Sequence, residues 1–80
     1  MSDSKYLLDL AAENYGWTMR YGNGSHRYER PGFLTEVFFT IDNRVHSCYF
    51  TDRSATVQNV SIYGGFPAVA ALLKKHGNGS

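Results

Sequence analysis

FLTEVFFTI, residues 33–41, decides the fold. Alternate residues of a strand point to opposite faces. One face of this segment carries Phe33, Val37, Phe39 and Ile41. The other carries Leu34 and Phe38 beside Glu36 and Thr40. A strand apolar on both sides belongs inside a sheet whose two faces both meet something, and the neighbouring sequence tells what lies on either side.

The turns around it set a register. Asn23-Gly24 is a two-residue hairpin signal, Pro31-Gly32 fits the centre of a type II turn, and Asp42-Asn43 fits a primed turn. Strands are expected over about 17–22, 25–30, 33–41 and 44–51, with a fifth over 55–62 after the break at Asp52-Arg53-Ser54. Two-residue loops place Tyr21 opposite His26, Arg20 opposite Arg27 and Met19 opposite Tyr28. They then place Tyr28 opposite Thr35, Arg27 opposite Glu36 and His26 opposite Val37. The third loop sets Val37 opposite Cys48, Thr35 opposite Phe50 and Phe38 opposite Ser47. A one-residue slip would exchange the two faces.

Helices bracket the strands. Residues 4–15, SKYLLDLAAENY, carry Leu7, Leu8, Ala11, Ala12 and Tyr15 at helical spacing. Ser2, Asp3 or Ser4 supplies the cap, and Gly16 the left-handed stop. Residues 66–76, FPAVAALLKKH, form the second helix, with Pro67 in its first turn and Lys74, Lys75 and His76 against the negative end of its dipole. The expected fold is α+β: a four- to five-stranded antiparallel meander with an N-terminal and a C-terminal helix packed on one face. Residues 1–80 read as one domain, with 77–80 as a disordered tail.

In this register one face collects Trp17, Met19, Tyr21, His26, Tyr28, Phe33, Val37, Phe39, Ile41, Cys48 and Phe50, and the helices cover it. The other face holds Thr18, Arg20, Arg27, Glu29 and Glu36 near the first hairpin. Farther on it holds Leu34, Phe38, Val45, Ser47 and Tyr49. Two short helices cannot cover both sides of a sheet, so Leu34, Phe38, Val45 and Tyr49 are expected to form an exposed patch for a protein partner, most simply a second copy.

Size and composition narrow the rest. A chain of 80 residues buries roughly 60–65% of its unfolded surface, too little to enclose a large active-site cavity. A net charge of +1 is too small to argue for nucleic acid or membrane from bulk charge. The single cysteine, Cys48, excludes an internal disulfide and suits a reducing compartment. No run approaches the roughly 20 apolar residues of a membrane span. With no basic-then-apolar start to direct export, a cytoplasmic protein is expected.

Residues able to carry chemistry are few. His26, His46, Cys48 and His76 show no metal-ligand spacing. His26 and Cys48 both flank Val37 and stand two strand spacings apart, roughly 9–10 Å, too far to share a zinc ion. No metal and no cofactor is therefore expected. Gly22-Asn23-Gly24 and Gly64-Gly65 lack the Lys-Ser/Thr ending of a phosphate loop. Arg20 and Arg27 face each other across a hairpin, an unfavourable pairing that Glu29 and Glu36 can relieve. With Arg30 they are also a possible contact for an anion or RNA.

Two resemblances add to this reading. Leu7-Leu8, Gly16-Trp17, Gly24-Ser25-His26 and Pro31, with the ending Leu72-Leu73-Lys74-Lys75-His76-Gly77, resemble HicA-type mRNA interferase toxins. The resemblance implies a helix–three-strand–helix fold and RNA cleavage by the histidine of the Gly-Ser-His segment, here His26. This chain departs from that pattern by inserting further strand before the last helix and by lacking the family's Gly-Thr-Leu helix entry. Residues 33–76, with their meander and the Gly-entered, Ala-rich helix, are similar in style to small accessory proteins of mycobacterial-type phages. That similarity implies a non-catalytic accessory protein that acts by binding another protein.

Overall fold

Strand pairing follows the turn chemistry. The computed structural model describes residues 3–78. The elements run α1 (Ser4–Asn14), β1 (Thr18–Tyr21), β2 (Ser25–Arg30), β3 (Phe33–Phe39), β4 (Val45–Asp52), β5 (Val60–Ile62) and α2 (Gly65–Lys75). The five strands form one antiparallel meander in the order β1-β2-β3-β4-β5. All nine residue pairs expected from the turns are present. Gly24 and Gly32 take the positive φ that their turns require, +80° and +85°.

The third hairpin differs in detail. Its loop is three residues long, Ile41 to Asn43, closed by the Thr40 N–H to the Arg44 carbonyl at 2.8 Å, with Asn43 left-handed at φ 64°. Such a loop shifts the register by one. A bulge restores it: Phe39 pairs with Val45 and Phe38 with Ser47, which leaves His46 unpaired. Ile41, expected on the helix-covered face, is instead fully exposed at the loop tip. The fifth strand is also shorter than expected, because residues 53–59 form an exposed loop.

Both helices lie on one face of the sheet and touch each other. Leu8 and Ala12 of α1 and Val69 and Leu73 of α2 join Trp17, Tyr28, Val37, Cys48 and Phe50 in a single core. Asp3 caps α1 by accepting the Tyr6 N–H at 3.1 Å, and Gly16 turns out of α1 at φ +81°. Of the other two caps considered, Ser4 is the first residue of α1 and Ser2 lies outside the described residues. Of the loose tail expected over 77–80, residues 79–80 lie outside the described residues, while the Asn78 N–H donates to the Tyr15 carbonyl at 2.6 Å and docks residues 77–78 on the end of α1. Thr35, between Tyr28 and Phe50, is fully buried, and its hydroxyl has no partner among the described residues.

Candidate functional site

Two surfaces carry the sequence-derived candidates, and they lie on opposite sides of the sheet. The first is the face that the helices leave bare. Leu34, Phe38 and Tyr49 stand on it half-buried, with the Phe38 and Tyr49 rings edge to face at 6.0 Å. Val45 is not among them. The bulge at His46 turns Val45 to the helix side, where it packs against the core. The patch is therefore narrower than expected and is bordered by charge.

Arg27 pairs with Glu36 at 3.0 Å, Ser25 donates to the same carboxylate oxygen, and Arg20 reaches Glu29 at 3.9 Å. The two arginines facing each other are thus each answered by an acid on the same face. Arg30 is elsewhere. It lies on the helix side and donates to the His76 carbonyl at 2.7 Å, closing the end of α2. The three arginines do not form one cluster.

The second surface is a cleft of about 570 Å³ between the start of α1, the β1–β2 hairpin and the β3–β4 loop. The Lys5 N–H holds its mouth by donating to the Asn43 carbonyl. His26 lines this cleft with its side chain 6% exposed. Its Nδ1 lies 2.8 Å from Asp9 Oδ1, and the Tyr28 hydroxyl donates to that same oxygen at 2.7 Å. A carboxylate against Nδ1 makes that nitrogen the protonated one in the neutral ring, which leaves Nε2 free to accept. Nε2 has no partner among the described residues and is not sealed from solvent, and His26 is one of the residues lining the cleft. The Phe39 and Tyr21 rings stand T-shaped to the His26 ring, with centroids at 5.1 and 4.9 Å.

Burial raises the Tyr28 phenol well above its ordinary value, and the Asp9 carboxylate it donates to adds to the effect. Burial also pushes the Cys48 thiol up to about 12, so it is no nucleophile at neutral pH. His76 stacks against Phe50 at 4.7 Å, and His46 is exposed. Among the described residues no three His, Cys, Asp or Glu side chains gather to hold a metal ion, and no helix is long and apolar enough to cross a membrane.

Sequence reasoning found His26 and missed its partners. Asp9 reads as part of the polar stripe Lys5–Asp9–Glu13 on α1, and nothing in the spacing ties it to a histidine 17 residues on. Only the packing of α1 on the sheet, which brings the Asp9 side chain to His26 and Tyr28 of β2, joins them. Comparison with family models, curated proteins and solved structures returns no match for this chain.

Proposed function

We propose that the protein is a non-catalytic binding module that works through the uncovered face of its sheet, associating with a second copy of itself. One observation supports this most: both helices occupy the same side, and Leu34, Phe38 and Tyr49 stay partly open on the other. Covering such a patch contributes at about 25 cal/mol per Å² of apolar surface. The style shared with phage accessory proteins fits such a role. The single cysteine suits a reducing compartment, and we place the protein in the cytoplasm.

Light scattering and sedimentation test the reading. The parent should dimerise, and Phe38→Asp should be a folded monomer with unchanged circular dichroism. A parent that stays monomeric at its highest soluble concentration ends it. So does a Phe38→Asp chain that unfolds, because Phe38 would then be core.

A second reading has its own support. An acid–base histidine works best with one ring nitrogen fixed by a carboxylate and the other facing substrate, as Asp9 and the cleft arrange for His26. This favours RNA-directed chemistry of HicA type. Expression of the parent should then arrest growth, and His26→Ala should relieve it. No arrest by the parent, or equal arrest by the variant, removes this reading.

A further inference from the structure

We infer that the cleft over His26 is a binding site for a small phosphate-bearing ligand with a flat ring, of the mononucleotide class, with His26 and Lys5 taking the phosphate and Tyr21 the ring. The inference shares its cleft with the RNA reading but requires only binding, not cleavage.

Three observations converge. The first is an unfinished polar group. His26 is almost wholly enclosed, one nitrogen is tied to Asp9, and the other has no partner among the described residues. That nitrogen is reached by solvent, and with both ring nitrogens protonated it can donate to a ligand oxygen in place of water.

The second is a cation without a counter-charge. The Lys5 ammonium lies 5.8 Å from the centre of the Phe39 ring, the same ring that meets His26 edge-on. Lys5 takes part in no ion pair among the described residues. Two carboxylates line the cleft without forming an ion pair with Lys5: Asp3 caps α1, and Asp9 Oδ1 accepts from Tyr28 and lies against His26. The other titratable groups near the imidazole are the phenols of Tyr6, Tyr21 and Tyr28. An anion entering the cleft thus meets the Lys5 ammonium over the Phe39 ring and the His26 ring set against that same ring, with the Asp3 and Asp9 carboxylates also in the lining.

The third is shape. Tyr21 is 76% exposed, yet its ring is held perpendicular to His26 at 86°. A held aromatic ring with open surface is a stacking platform, and any nucleobase presents it a π-face. The volume of about 570 Å³ falls within the range of small-molecule sites.

The test is a ligand titration of the ¹⁵N-labelled protein at fixed pH, followed through amide and imidazole resonances. The probes are inorganic phosphate, adenosine and adenosine 5′-monophosphate. The nucleotide should perturb Lys5, Tyr21 and His26 and bind about tenfold or more tighter than either half. Lys5→Met should weaken phosphate and nucleotide alike by about tenfold. Tyr21→Ala should weaken the nucleotide by about tenfold and leave phosphate unchanged. Lys5 and Tyr21 lie at the surface, so these variants keep the test valid even if His26→Gln fails to fold.

Cleft resonances that none of the probes moves at millimolar concentration overturn the site, as does nucleotide binding that Lys5→Met leaves unchanged. Nucleotide binding without growth arrest leaves this site standing and removes only the RNA reading. Growth arrest without nucleotide or phosphate binding does the reverse.

Discussion

The indole N–H of Trp17 donates to the carbonyl of Leu73 at 2.9 Å, inside the core and across 56 positions of chain. Leu73 lies in the last turn of α2, where backbone carbonyls have no helical partner. Trp17 follows α1 directly. One side chain therefore satisfies the end of the second helix and fixes the exit of the first.

Trp17→Phe keeps the ring and removes the donor. The Leu73 carbonyl is then buried without that partner, a loss of about 1–3 kcal/mol. In a domain of this size each kcal/mol lowers Tm by about 4–8 °C. Thermal and urea unfolding check this, with the urea slope unchanged. An unaltered Tm would mean that water or another donor takes over the carbonyl.

Thr35→Val should stabilise. The Thr35 hydroxyl is sealed among apolar groups without a partner, so exchanging it for a methyl removes a desolvation cost at constant shape. The expected gain is about 1 kcal/mol, read as a higher urea midpoint. A loss of stability would show that the hydroxyl is satisfied in solution, for instance by an internal water.

Stability should fall on the alkaline side in two stages. The Cys48 thiol is raised by burial from an ordinary value of 9.0 to about 12 in the folded chain. The unfolded chain therefore releases this proton first. The contribution is complete below about pH 9 and is lost progressively as pH rises toward the folded value, at about 1.4 kcal/mol per pH unit. Tyr28, also raised, adds a second loss above its ordinary 10.0. Urea unfolding from neutral to strongly alkaline pH should show the slope steepening past pH 10.0, and Cys48→Ala should remove the earlier part alone.

Gly77→Ala should destabilise by about 1–3 kcal/mol through overpacking. A Cβ there would lie 2.5 Å from both the Tyr15 Cβ and the Leu73 carbonyl oxygen, neither of which is the far end of a flexible side chain. The same substitution should free Asn78 from Tyr15, seen as faster exchange of the Asn78 amide. Unchanged stability and exchange would show that the segment after α2 moves aside without cost.

Much of the fold was legible because its connections are short and chemically explicit. Asn23-Gly24 and Pro31-Gly32 leave little choice of turn, and each turn dictates the pairs that follow. Where the turn residue was less decisive, the reading slipped. Asp42-Asn43 permits either a two-residue loop or the longer one with left-handed Asn43, and the bulge that compensates cannot be seen in periodicity. That single choice moved Ile41 into solvent and turned Val45 to pack against the core.

The candidate site was less legible, and for a different reason. His26 stood out in its Gly-Ser-His segment, but its chemistry depends on Asp9 and Lys5, which come from another element. No local pattern records which helix flank will lie beside which strand. Thr35 was missed similarly: threonine suits either face of a strand, and only closure of the core buries its hydroxyl.

The exposed loop of residues 53–59 is the one stretch of chain joining α1 and the first four strands to β5 and α2. Its side-chain hydrogen bonds are local, Gln58 donating to the carbonyls of Arg53 and Ala55 and Ser54 to Asp52 at the end of β4. It is therefore the place to open the polypeptide. Two fragments parted there should reassemble on mixing, one bringing Leu8, Trp17 and Tyr28 and the other Val69 and Leu73, because the contacts that recognise each other all lie beyond the cut.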